Sequence, residues 1–277
     1  PSIPYIMYCN ASGASISELF LAGFLPGVLI ALCLMVYSYI YCKIHGEDKD
    51  KLNAKCMELR AKGLGTVLKE GFWALMSPVI ILGGIYGGIC SPTEAATISI
   101  FYSLIVSLFI YRTIKIRDLP KIMLEGIHSY APILIILSAA VAFARVITLM
   151  NVATIVSEAV LSAISSKVVI LLLINVLLLF VGMIMDTGPA ILVFTPVLLP
   201  VAEAIGVDPI HFGIIMCVNL AIGFVTPPMG ANLFVASNLS KVSVFDIARK
   251  AVPFILAFLI ALLLITFVPQ ISMFLLQ

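Results

Sequence analysis

Charge is what this sequence has least of, and the shortage excludes most soluble classes. Asp, Glu, Lys and Arg make up 11% of the 277 residues, against 62% hydrophobic, where a soluble domain carries about 25% charged residues. The three histidines (His45, His128, His211) are dispersed, and the six cysteines (Cys9, Cys33, Cys42, Cys56, Cys90, Cys217) show no CxxC or other ligand spacing. No transition-metal site is expected, and five of the cysteines, in or beside apolar runs, read as small buried hydrophobes. GxSxG, HExxH and paired-aspartate motifs are missing, so no enzyme is expected; an intramembrane enzyme would have to use Asp186 and His211. Period-2 alternation, the mark of a membrane barrel, is missing too. A net charge of +2 carries no nucleic-acid signal, because the basic residues follow topology. The opening Pro1-Ser2-Ile3-Pro4 lacks an initiator Met and is expected of a piece of a longer chain.

Long apolar runs fill the rest, and they predict an all-α integral membrane protein. The first span is expected over 16–42, with Gly23 and Pro26-Gly27 giving close packing and a kink. Residues 43–72 are the one sizeable polar stretch and fit either an amphipathic helix on the membrane surface or a solvated arm. Apolar segments follow at 73–90 and 95–111. Between them, Ser91-Pro92-Thr93-Glu94 matches a capping box with proline at the first helical position; Glu94 as an ion ligand is the alternative. Gly83, Gly84, Gly87 and Gly88 give two GxxxG pairs, read as helix packing. A span over 122–150 carries Arg145, which is expected to snorkel. Residues 151–167 and His211 read as interfacial.

The centre of the chain is a pair of breaks in apolar sequence. Residues 168–185 and 190–204 flank Asp186-Thr187-Gly188-Pro189, with arms of about 18 and 15 residues, or roughly 27 and 22 Å. That length predicts a re-entrant hairpin over 168–204. Residues 211–239 are expected as one helix broken at Thr226-Pro227-Pro228, and 251–275 as the last span. Hydrocarbon offers no partners to free backbone groups, so such breaks survive only against protein or a water-filled cavity. Paired interruptions point to a transporter's binding site. Fourteen of the sixteen Lys and Arg fall in 43–69, 112–121 and 241–250. All three loops share the cytoplasmic side, as the positive-inside rule requires, only if 168–204 returns to its own side. An internal repeat at an offset of 227 pairs Pro1 with Pro228 and Pro26 with Pro253, and a one-residue shift pairs Ser15, Ile16 and Glu18 with Ser243, Val244 and Asp246. With opposite orientations, these predict an inverted repeat.

Pro1-Ser-Ile-Pro, Gly84-Ile-Tyr-Gly-Gly-Ile-Cys-Ser-Pro-Thr-Glu-Ala-Ala, and Asp208-Pro-Ile-His-Phe-Gly running on to Thr226-Pro-Pro-Met-Gly together resemble one family across nearly the whole chain. It is the large membrane subunit of tripartite ATP-independent periplasmic (TRAP) transporters, whose first half, with its first hairpin, has no counterpart here. The resemblance implies sodium-driven import of a small organic acid, typically a C4-dicarboxylate or sialic acid, across the bacterial inner membrane by an elevator-type transport domain. It also implies a small membrane subunit, sometimes fused, and a periplasmic substrate-binding protein. A transport domain is then expected from 1–15 and 151–240, scaffold spans from 16–150, and a terminal span from 241–277. Membrane lipid is the remaining partner.

Sodium needs oxygen ligands, best supplied where helices unwind. The expected set is Gly182, Asp186, Thr187, Gly188, Gly223, Thr226, Met229 and Gly230, with the glycines permitting unwinding. Asp186 has a competing role as cap of a half-helix starting near Pro189. A substrate carboxylate is expected at helix N-termini, near Pro1, Ser2, Gly188, Pro189, Pro228 and Asn232. Asn219 is read either as a hydrogen-bonding group for the substrate, with Asn232, or as a bridge between neighbouring helices, the bridge being preferred. The rival transport readings are a stand-alone divalent-anion/sodium symporter and, behind it, a passive channel.

Overall fold

The computed structural model describes residues 2–46, 53, 56–57, 63–228 and 230–276, and every regular element among them is helical. In order the α-helices are α1 (Ile3–Ser12), α2 (Ile16–Ala22), α3 (Phe24–His45), α4 (Leu64–Tyr86), α5 (Pro92–Ile105, continued by a π turn over Val106–Ile110), α6 (Leu119–Leu149), α7 (Val152–Ala163), α8 (Lys167–Ile184), α9 (Thr187–Ala204), α10 (Pro209–Gly223), α11 (Ala231–Ser240), α12 (Val244–Phe267) and α13 (Gln270–Met273), with short 3₁₀ turns at Ile116–Asp118 and Phe274–Leu276. Seven helical segments are long and apolar enough to cross a membrane. The chain is an all-α, multi-pass membrane protein. Its contacts divide it into two compact units, one of residues 1–38 and 133–277 and one of residues 39–132.

The smaller unit is built on antiparallel α4 and α5. The Tyr102 hydroxyl donates to the Trp73 carbonyl at 2.7 Å, and Tyr111 donates to that of Glu70. The Ser91–Glu94 capping box is present: Ser91 N–H donates to Glu94 Oε2 at 2.8 Å, and Glu94 N–H reaches back to Ser91 Oγ at 3.4 Å. The nearby glycines act differently from expectation. α4 stops at Tyr86, Gly88 turns to φ +65, and the Gly84 carbonyl collects the N–H groups of Ile89 and Cys90. These glycines close a helix end instead of forming a packing face. α4 also begins at Leu64, well before the expected 73, so residues 64–72 belong to a helix rather than to the polar arm. Most of that arm lies outside the described residues.

The larger unit is arranged around α10. Every residue from Ile210 to Leu220 is buried, as expected of a helix apolar on all sides. α10 packs against α8, α9, α12, α1, α2 and α13. Tyr8 of α1 is fully buried, and its hydroxyl donates to the Pro209 carbonyl at 2.6 Å, while its ring lies over Gly213. Residues 152–163 form α7, which packs on α9, so the stretch read as interfacial is part of this body. The last span runs from Val244 to Phe267, seven residues earlier at its start and eight earlier at its end than the expected 251–275. The first span breaks at Gly23, where an added Cβ would meet the Tyr5 ring at 2.7 Å; Gly27 faces open space.

Two helix–turn–helix units, α1–α2 and α11–α12, repeat bond for bond at an offset of 228. Gly13 N–H donates to the Cys9 carbonyl and Lys241 N–H to that of Ser237, both at 2.8 Å, and both turn residues are left-handed (φ +77 and +60). Ala14 N–H donates to Ser12 Oγ and Val242 N–H to Ser240 Oγ. Ser15 then caps α2 through Glu18 N–H, and Ser243 caps α12 through Asp246 N–H. This is the register of the shifted match of Ser15, Ile16 and Glu18, one residue longer than that of the prolines, which sit on either side of the unit.

The Tyr8–Gly213 contact generates a prediction. A Cβ at position 213 would fall 2.5 Å from the Tyr8 ring, and that ring is buried and tethered at Pro209. Gly213→Ala is expected to cost about 1–3 kcal/mol, the usual range for overpacking, read as a lower melting temperature of the detergent-solubilised protein. An unchanged melting temperature would refute the contact.

Candidate functional site

The first break is shorter than the sequence suggested. α8 ends at Ile184, Met185 N–H donates to the Val181 carbonyl at 2.8 Å, and α9 begins at Thr187. Only Met185 and Asp186 are non-helical, so Thr187, Gly188 and Pro189 form the first turn of α9 and Gly188 is not unwound. First-turn N–H groups have no intrahelical partner, which is why proline is tolerated there. Asp186 occupies the cap position with extended backbone, but its carboxylate makes no capping bond and lies exposed. Its main-chain oxygen accepts from Ala190 N–H.

The second break is a tightened helix end. Phe224, Val225 and Thr226 N–H donate in turn to the carbonyls of Ala221, Ile222 and Gly223, three i to i−3 bonds of the kind that wind down a helix. Thr226 Oγ1 donates to the Ile222 carbonyl at 2.7 Å. The Phe224 carbonyl accepts from Asn232 N–H across the loop at 3.0 Å. Gly230 precedes α11, and a Cβ there would meet Leu233 Cδ1 at 2.9 Å and the Thr226 oxygen at 3.0 Å. Among the described residues, no backbone N–H reaches the carbonyls of Val225, Thr226 or Pro227. The Pro227–Pro228 peptide is cis. Met229 lies outside the described residues.

The two breaks meet through glycine. A Cβ on Gly223 would lie 2.0 Å from the Gly182 carbonyl oxygen and 2.8 Å from its Cα, and one on Gly182 would lie 3.2 Å from the Leu220 carbonyl oxygen. Both glycines are helical, so their use is close backbone approach rather than unwinding. Further from these ends, Asn219 Nδ2 donates to Asn175 Oδ1 at 2.7 Å and to the Asn175 carbonyl at 3.0 Å. The pairs 175–219 and 182–223 make α8 and α10 parallel, with their C-terminal ends side by side. Helix C-termini carry about half a negative charge each. Asp186 follows the end of α8, and the carbonyls of 225–227 follow the end of α10; oxygens of these kinds are the ligands a hard cation takes.

A buried polar chain braces this pair, and sequence reasoning found only one member of it. Asn219 is the expected bridge between helices. Asn175 Nδ2 continues to the Leu171 carbonyl and to Thr266 Oγ1 on α12. His211 is 2% exposed and bonds Ser272 Oγ at 3.0 Å and the Thr266 carbonyl at 3.4 Å. The signal for Asn175 was its isolation in an apolar run, since a lone amide at that depth requires a partner. Asn219 Oδ1 is buried without a partner among the described residues.

The expected substrate residues are less gathered. Ser2 caps α1 by accepting from Tyr5 N–H. Gly188 is buried against Met7 of α1, Pro189 is half-buried, and Pro228 and Asn232 are exposed. Among the described residues no hydrogen bond joins these groups to one another. Pro1 lies outside the described residues.

The fold is a bundle of apolar, membrane-crossing helices with two breaks at its centre. Residues 1–271 match the model of the family described as tripartite ATP-independent periplasmic transporter, DctM component, and the chain belongs to that family. It is 44% identical over 277 residues to the isethionate TRAP transporter permease protein DctMQ of Oleidesulfovibrio alaskensis, covering 99% of this chain and 42% of that one. It is 37% identical over 273 residues to the C4-dicarboxylate TRAP transporter large permease protein DctM of Pseudomonas aeruginosa (99% and 62%). It is 34% identical over 275 residues to the sialic acid TRAP transporter large permease protein SiaM of Vibrio cholerae (99% and 63%). The chain thus spans less than two thirds of the length of the curated relatives it matches.

The glycine contact orders two substitutions. Gly223→Ala places its methyl into the Gly182 backbone, which cannot swing aside, and is expected to abolish a folded, monodisperse protein. Gly182→Ala meets atoms at 3.2–3.4 Å and is expected to be tolerated with a cost of about 1 kcal/mol. Size-exclusion profiles and melting temperatures of the two variants check this order; equal tolerance would contradict the packing.

Proposed function

We propose that this chain is the substrate- and ion-binding part of a sodium-driven importer of a small organic acid anion, working in the bacterial inner membrane. The observation that carries the reading is the parallel convergence of the α8 and α10 C-terminal ends at Gly182 and Gly223. It supports a sodium site drawn from carbonyls of the 224–230 loop, Thr226 and Asp186. Thr187 and Gly188, as the first turn of α9, offer a positive helix end to the anion's acid group. The relatives' names span a sulfonate, dicarboxylates and a sialic acid, so the common requirement is an acidic group on a small organic molecule.

Inward movement of each positive charge gains about 2.3 kcal/mol per 100 mV. Accumulation of an anion therefore requires more sodium charge than substrate charge on each cycle. The bond-for-bond repeat of α1–α2 in α11–α12 supports an inverted-repeat plan, in which the hairpin α8–α9 and the broken helix α10–α11 travel together as an elevator while the outer spans stay in place. The partners in this reading are a small membrane subunit and a periplasmic protein that delivers the substrate.

The test uses the full-length transporter with its small subunit in proteoliposomes. Uptake of labelled isethionate, a C4-dicarboxylate and sialic acid is followed with and without a sodium gradient and the periplasmic protein. Uptake of one of them is expected to need both. Asp186→Asn is expected to raise the half-saturating sodium concentration about tenfold, the equivalent of about 1.4 kcal/mol, at unchanged folding. Flux indifferent to sodium overturns the proposal, and sodium-driven uptake without the soluble protein favours a stand-alone symporter.

A further inference from the structure

The second helix–turn–helix unit carries side chains that its architecture does not require. α11 and α12 enclose a groove of about 910 Å³ between Ala236 and Ser240 on one helix and Ile247, Arg249 and Lys250 on the other, with Val242 and Asp246 completing it. Lys241 sits in the left-handed turn beside it. Asp246 is the one acid there, and it is held in the cap of α12, accepting from Ser243 Oγ at 2.6 Å and supporting that turn. Among the described residues, Lys241, Arg249 and Lys250 make no ion pair. Leu239 and Phe245 flank the same turn at 82% and 80% exposure.

The first unit is the internal control. Built with the same bonds 228 residues earlier, it keeps the acid (Glu18 for Asp246) but has Gly13, Leu21 and Ala22 where the second has Lys241, Arg249 and Lys250. It also has Ala11 and Ser17 in place of Leu239 and Phe245. The cations and the protruding apolar pair are thus additions to a fold that forms without them.

We propose that this groove holds the headgroup of an anionic phospholipid. Arg249 and Lys250, with Lys241 at the turn, face the phosphate, and Leu239 and Phe245 lie along the acyl chains. Three cations against one committed carboxylate set the charge of the ligand. The exposed apolar pair next to them sets its amphipathic character, which a free anion would leave unused. Loop cations placed only to orient the chain need no groove and would show no preference among headgroups.

The test measures lipid retention by native mass spectrometry on the purified full-length transporter with its small subunit. The protein is reconstituted in nanodiscs with equal phosphatidylglycerol and phosphatidylethanolamine of matched acyl chains. Wild type is expected to keep phosphatidylglycerol preferentially. Arg249→Gln with Lys250→Gln should reduce that preference about 30-fold, from about 1 kcal/mol per basic residue near an anionic surface. Lys115→Gln with Arg117→Gln, in a basic loop outside the groove, should leave it intact. If the first double variant fails to fold, the single substitutions at 249 and 250 carry the same comparison, each with a smaller loss. Equal retention of the two lipids by wild type, or an unchanged preference in the groove variants, would overturn the proposal.

Discussion

A backbone that leaves helical geometry inside hydrocarbon must find its partners within the protein, and here the close approach of Gly182 to Gly223 is what makes that possible. Without side chains between them, α8 and α10 come within backbone contact where each ends. The two helix ends are thereby held side by side, each next to protein backbone. Removing the space for that contact would separate the two ends and leave each helix with a terminus that hydrocarbon cannot satisfy.

The polar chain below the contact fixes the register in which the glycines meet. Asn219 and Asn175 can pair only in one axial alignment of α8 on α10, and Thr266 and His211 extend that alignment to α12 and α13. Apolar surfaces between helices slide at little cost, whereas an amide that loses its partner in the interior costs about 1–3 kcal/mol. The amide pair therefore selects one arrangement among many that apolar packing alone would permit.

How much of this was legible in the sequence depends on whether the signal was local. The helical class, the two breaks and the Ser91–Glu94 cap could be read because hydropathy, proline and capping chemistry act within a few residues. The same local reading assigned Gly182 and Gly223 to unwinding, because glycine in isolation reports freedom and not the neighbour that needs it. The bonds of His211 went unread because its partners, Ser272 and the Thr266 carbonyl, lie more than fifty residues away. Gly84 and Gly88 were taken for a packing motif when the turn they close depends on Ile89 and Cys90 folding back. The repeat was legible in register only through the shifted match of Ser15, Ile16 and Glu18 to Ser243, Val244 and Asp246, since the prolines alone gave an offset one residue shorter.

The two-residue link of Met185 and Asp186 carries a mechanical consequence. Two residues reach at most about 7 Å, so the end of α8 cannot move without drawing the start of α9 with it. The negative end of one helix and the positive end of the next are thereby mounted on a single lever. Opposite charges bound at those two ends would be weighed together by the same rigid piece of chain, with no relay needed between them.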